Sequence, residues 1–164
     1  MKVEIKNVKY SQFASRETNC FEATVYIDGK RMGTVSNEGH GGPNDYDSRE
    51  LVEALTEHTK TLSTRTWRLD GEALEVPPDI DTAIDDLLMA YLYARDLKRD
   101  LSKRVLFVDK DGILKQTRTM AKPELEATLR APDLGQRLRS NRILNMMPFD
   151  VALTTYREVL AAGA

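Results

Sequence analysis

Apolar and polar positions recur with regular periods along most of this 164-residue chain. Over residues 2–8, Val3 and Ile5 alternate with polar neighbours, the period of a strand with one covered face. Phe21, Ala23, Val25 and Ile27 then alternate with Glu22, Thr24 and Tyr26. Asp28-Gly29 follows, and a further short run covers residues 30–35. Asp-Gly between alternating runs signals a two-residue hairpin turn, because both central positions take positive φ. A regular ladder from that turn places Val25 opposite Met32 and Ala23 opposite Thr34. Residues 11–18 are polar and read as a loop.

The period then lengthens. Asp47-Ser48-Arg49-Glu50 resembles a capping box, and Leu51, Leu55, His58 and Leu62 form one stripe of the helix it opens. Residues 64–70 read as a strand holding the only tryptophan, Trp67, with Asp70-Gly71 as a turn after it. Val76-Pro77-Pro78 stops any regular element. The longest helix is predicted over residues 79–101, with Ile80, Ile84, Leu87, Leu88, Tyr91, Leu92 and Ala94 as its apolar stripe. Aspartates in its first turns and Lys98, Arg99, Lys103 and Arg104 at its end complement the helix dipole.

Residues 105–108 and 113–117 flank Asp109-Lys110-Asp111-Gly112, which predicts a second hairpin with a four-residue turn. A helix over residues 123–129 comes next, then a helical piece reaching Leu138, a short strand at residues 143–145, and a last helix opened by Pro148. Phe149, Ala152, Leu153, Tyr156 and Leu160 are its expected core face. Consecutive hairpins interspersed with helices predict an α+β fold, an antiparallel sheet with helices packed on one face. A single domain spanning residues 1–164 is expected, with a subdomain boundary near residues 77–78.

Composition narrows the function classes. Hydrophobic residues make up 41% and charged residues 30%, which suits a globular chain and argues against disorder. The lone Cys20 excludes an internal disulfide and suits a reducing compartment. The alternating N-terminus lacks the apolar run of a signal peptide, and no stretch reaches membrane-spanning length, so a cytoplasmic protein without membrane partners is expected. The first 82 residues hold 10 Lys and Arg against 15 Asp and Glu; the remaining residues hold 14 against 11. Seven of those cations, Lys115, Arg118, Lys122, Arg130, Arg137, Arg139 and Arg142, fall within residues 113–142 beside three acids. Such a face suits nucleic acid or an acidic protein surface, but the absence of aromatics there argues against stacking on single strands. Nucleic acid is the lesser expectation.

The most unusual segment is SNEGHGGPNDYD, residues 36–47. Gly39, Gly41 and Gly42 free the backbone, His40 supplies a titratable ring, and Glu38, Asp45 and Asp47 supply carboxylates ahead of a helix N-terminus. Gly39, His40, Gly41, Gly42, Asn44 and Asp45 are the candidate ligand-binding residues. The carboxylates oppose a simple phosphate cradle, and the loop matches neither of the common nucleotide-binding fingerprints, so no cofactor is expected. His40 and His58 lack the close Cys/His spacing of a metal site, and no metal is expected. His58, on an apolar stripe, reads as a hydrogen-bonded histidine at the core edge. Cys20 reads as a small core residue. No catalytic set can be named, although His40 has the chemistry of a general acid/base.

The segment FEATVYIDGKRMGTVSNEGHGG resembles a family of small, uncharacterised phage and prophage proteins, in which a strand, a tight turn and a strand lead into a Ser-Asn-x-Gly-His-Gly-Gly loop. The C-terminal ILNMMPFDVALTTYREVL is similar to the end of those chains. The resemblance implies a phage accessory protein in the host cytoplasm, an inhibitor that blunts a host defence. It transfers no activity and no residue roles. The expected function is therefore a non-enzymatic binding protein for a host protein or a small nucleotide ligand. Two alternatives stay open: a hydrolase or phosphodiesterase using His40, and nucleic-acid binding through the basic face of residues 113–142.

Overall fold

Asp28 and Gly29 both take positive φ, 48° and 82°. In the computed structural model, which describes residues 1–69 and 72–162, this turn joins β2 (Cys20–Ile27) to β3 (Lys30–Glu38). On its other edge β2 pairs with β1 (Val3–Ser11), and β3 pairs with the short β4 (Asp45–Tyr46), giving an antiparallel sheet in the order β1-β2-β3-β4. The hairpin is as predicted; its register is not. Ile27 faces Lys30 and Tyr26 faces Arg31, but Val25 then faces Gly33 and Ala23 faces Val35. Met32 is the extra residue of a bulge, and a one-residue slip exchanges the two faces of a strand. Gly33, Val35 and Asn37 turn inward in place of Met32 and Thr34.

The chain divides into two compact units, Met1–Met89 and Ala90–Ala164. In the first, α1 (Arg49–Thr59) starts at Ser48, whose Oγ accepts from Leu51 N at 3.2 Å. Position 51 is a leucine, so the cap lacks the reciprocal carboxylate of a full capping box. Leu51 and Leu55 are fully buried, and Gly33 permits the approach: a Cβ there would stand 3.0 Å from Leu51 Cδ2. Leu62 lies beyond the helix, and His58 is half-buried, its buried Nδ1 without a hydrogen-bond partner among the described residues. β5 (Arg65–Leu69) pairs with β6 (Glu72–Val76). β6 has no signature in the sequence, because Glu72, Ala73, Leu74 and Glu75 are all exposed and no alternation marks a covered face. The expected Asp70-Gly71 turn lies outside the described residues. α2 (Ile80–Leu101) follows the double proline, with Asp79 Oδ1 accepting from Thr82 N at 2.7 Å; its N-terminal part belongs to the first unit and the rest to the second.

In the second unit β7 (Leu106–Val108) lies between β8 (Leu114–Gln116) and β9 (Arg142–Ile143), all antiparallel. α3 (Lys122–Arg130) and α4 (Leu134–Leu138) connect β8 to β9, and α5 (Phe149–Ala162) ends the described chain. The strand expected at residues 143–145 breaks into a 3-10 turn, Leu144–Met146. There the Asn145 side chain replaces backbone pairing: Oδ1 accepts from Leu106 N at 2.8 Å, and Nδ2 donates to the Leu101 and Arg104 carbonyls. Leu97, Leu106, Val108, Leu144 and Ala152 form one core group, and Val105, Leu125, Leu134 and Ile143 another. Of the face expected of α5, Ala152, Leu153 and Tyr156 pack as foreseen, but Phe149 and Leu160 are exposed. The covered stripe runs through Ala152, Thr155, Tyr156 and Val159, which rotates those two residues to its margin. The architecture is α+β with antiparallel sheets, and no described helix is long and apolar enough to cross a membrane.

Candidate functional site

The glycine-rich segment is built around one inward-facing amide. The Met32 bulge delivers Asn37 to the covered face at the end of β3, where it is buried. A buried carboxamide has two donor and two acceptor positions to satisfy. Asn37 Oδ1 accepts from Thr18 Oγ1 at 2.7 Å and from Gly39 N at 2.9 Å. Asn37 Nδ2 donates to Asn44 Oδ1 at 3.1 Å, with the carbonyls of Gly42 and Pro43 at 3.4 Å. One side chain thereby closes residues 39–44 on themselves.

The same loop is knitted to the connection between β1 and β2. Gly39 O accepts from Arg16 N and Glu17 N at 3.0 and 3.1 Å, and Gly41 N donates to Thr18 Oγ1 at 3.2 Å. Gly39 holds φ at 82° and is buried; a Cβ there would stand 2.9 Å from Cys20 Cβ and collide with the Ala14 carbonyl. Gly42, at φ 89°, has open space around it. The far end of the loop is tied to α2. Asp81 Oδ1 accepts from Tyr46 Oη at 2.7 Å and from Asn44 N at 3.3 Å. Burial first, then the hydrogen bond to Asp81, pushes the Tyr46 phenol well above its ordinary range. Among the described residues Asn44 Nδ2 is buried with no partner at hydrogen-bonding distance, yet it is near enough to the Asp85 carboxyl to oppose the rise there. That rise comes mainly from burial, then from the charge of Asp81.

Each candidate ligand residue now has a place. The amides of Gly39 and Gly41 and the carbonyls of Gly39 and Gly42 are engaged inside the protein, as is most of Asn44. Asp45 is exposed in β4, opposite Ser36. His40 is exposed, and among the described residues its ring makes no hydrogen bond. Glu38 is exposed, and Asp47 lies beside Gly33 and Leu51 rather than beside the histidine. The carboxylates flanking His40 in sequence thus hold no hydrogen bond that would orient it. Among the described residues no three His, Cys, Asp or Glu side chains are grouped to hold a metal ion.

His40 borders an open cavity of about 490 Å³ at this end of the sheet, with Tyr10, Cys20, Glu22, Asn37 and Glu38 among its walls. Cys20 is half-buried opposite Ser11 and Glu38, a wall residue instead of the small core residue its setting suggested. Directly after Ser11, another cavity residue, comes Gln12-Phe13. Phe13 is 98% exposed. The turn carrying it is closely bonded: Ser15 N and Ser15 Oγ both donate to Ser11 O, Ala14 N donates to Ser11 Oγ, and Cys20 N donates to Ser15 Oγ at 2.8 Å. Phe13 lies in the mostly polar run of residues 11–18, which reads as a loop, and its isolation as the one aromatic there is the signal the sequence offers.

Comparison with protein-family models, with curated proteins and with solved structures gives no match for this chain.

Proposed function

We propose that this chain is a non-enzymatic binding protein whose contact surface is the end of the four-stranded sheet, formed by Phe13, His40 and the open cavity beside them, and whose partner is a protein. The observation that carries this reading is Phe13, 98% exposed on a turn held by internal hydrogen bonds through Ser11 and Ser15. Full burial of a phenylalanine side chain contributes about 1.5–3 kcal/mol, which here is left for a partner to supply. Aromatic side chains are enriched in the buried centres of protein interfaces. Holding the ring on a bonded turn reduces the ordering cost of association.

A protein suits this surface better than a nucleotide. The amides of Gly39 and Gly41 are already engaged, Lys9 on the cavity wall is paired with Glu22 at 2.7 Å, and the exposed Glu38 beside them opposes a phosphate. The resemblance to small phage and prophage proteins makes a host-cell protein the partner class, with inhibition of a host defence as the physiological role. A photo-reactive phenylalanine analogue at position 13, expressed in bacterial host cells, tests this. The expected result is one discrete adduct from position 13 and none from exposed Glu57 on α1, suppressed by excess wild-type protein but not by Phe13→Ala. No adduct at position 13, or the same adducts at both positions, would overturn the reading.

A further inference from the structure

The second unit carries a cleft of about 410 Å³ between the β7–β8 turn and the connection from α4 to β9. Lys110, Arg139 and Arg142 line it, with Asp109, Ser140 and Asn141. Neighbouring cations are neutralised: Lys115 approaches Asp109 at 3.9 Å, Arg130 approaches Glu126 at 3.9 Å, and Arg118 pairs with Glu124. Lys110, Arg139 and Arg142 have no carboxylate partner among the described residues. The one acid among the cleft's lining residues, Asp109, accepts from the amides of Asp111 and Ile113 at 2.9 Å and faces Lys115, so the three lining cations leave the cleft an excess of positive charge.

The backbone supplies a second, independent observation. Arg139 closes α4 in the left-handed conformation, φ 52° and ψ 39°. That position favours glycine or asparagine, and an arginine there carries strain. Strained non-glycine positions cluster at functional sites, where surrounding structure over-determines them. Here the overdetermining bonds are Arg139 N to Gln136 O, Ser140 N to Gly135 O, and Ser140 Oγ to Val108 O at 2.6 Å. The chain accepts a poor backbone residue at position 139 and thereby places a cation on the cleft wall.

We infer that this cleft binds the phosphodiester backbone of duplex nucleic acid, with Lys110, Arg139 and Arg142 as the phosphate contacts. No aromatic side chain lines it, so nothing there holds a base by stacking, and recognition rests on phosphate. Arg137, also unpaired among the described residues, extends the positive charge along the chain beyond a single phosphate. The site lies wholly in the second unit and is independent of the Phe13 surface.

Fluorescence anisotropy of the full chain with a labelled duplex, between about 50 and 200 mM salt, tests the inference. Three phosphate contacts predict a log–log salt slope of about −3, and each contact removed lowers its magnitude by about 1. Arg139→Gly relieves the left-handed position while removing the charge, so it is expected to raise the melting temperature and weaken binding together. Arg142→Gln is expected to weaken binding with unchanged stability. Lys30→Gln, an equal loss of one charge in the first unit, is expected to leave affinity unchanged. No binding at low salt, an unaltered slope in the Arg139→Gly and Arg142→Gln variants, or an equal loss in the first-unit control would overturn the inference. Saturable binding of inorganic phosphate or of polyglutamate in place of the duplex would do the same.

Discussion

Asn37 Nδ2 donates to Asn44 Oδ1 at 3.1 Å, joining the last inward position of β3 to the far end of the glycine-rich loop. Between these two amides the chain makes the excursion that carries His40 outward. The amides of Gly39 and Gly41 and the carbonyls of Gly39 and Gly42 bond within the protein, so these glycines help to close the turn. What it presents to solvent is the His40 ring, beside the bonded turn that displays Phe13.

Asn37→Ala removes the acceptor for Gly39 N and Thr18 Oγ1 and the donor to Asn44. Leaving such buried groups unpaired costs about 1–3 kcal/mol each. A total loss of about 3 kcal/mol is expected, measured as a lower urea midpoint with an unchanged slope.

Gly39→Ala and Gly42→Ala separate conformational cost from collision. Both glycines have positive φ, so each substitution carries the left-handed penalty of about 1–2 kcal/mol. Only at Gly39 does the new methyl meet the Ala14 carbonyl and Cys20. Thermal unfolding is expected to show the larger drop for Gly39→Ala, and loss of Phe13-dependent crosslinking only in that variant.

Asp85 sets a pH dependence with a definite sign. Its carboxyl is held above the ordinary value of 3.8, chiefly by burial and then by Asp81. A raised acid contributes stability that is fully present below the unfolded value and is lost as pH rises through the folded one. Asp85→Asn removes that loss. Its melting temperature is expected to exceed wild type at pH 7, with the difference shrinking toward zero as pH falls to about 3.8. A difference that grows on acidification would contradict the assignment.

Much of the fold is legible in the pattern of residues. The Asp28-Gly29 turn, the α1 start near Ser48, the long α2 and the turn at Asp109 all follow from local chemistry that tertiary packing leaves intact. The register of β2 against β3 does not. A bulge at Met32 has no local signature, and a regular ladder assigns Met32 and Thr34 the places taken by Gly33 and Val35. The same slip hides Asn37, because a polar residue in that run reads as the beginning of a loop. The loop's prominence in composition was a sound guide to where the sheet end lies, while its internal bonding and the exposure of Phe13 depend on a partner segment more than twenty residues upstream of Gly41.

The central claim, that the glycine-rich loop is a closed platform before any partner arrives, is tested most directly by amide hydrogen exchange of the free protein. Gly39 N–H bonds to Asn37, Gly41 N–H to Thr18, and the amides of Arg16 and Glu17 to Gly39 O. These four amides are expected to exchange far more slowly than an unstructured chain and to lose protection together in Asn37→Ala. Exchange of Gly39 and Gly41 at unprotected rates in the wild-type protein would contradict it.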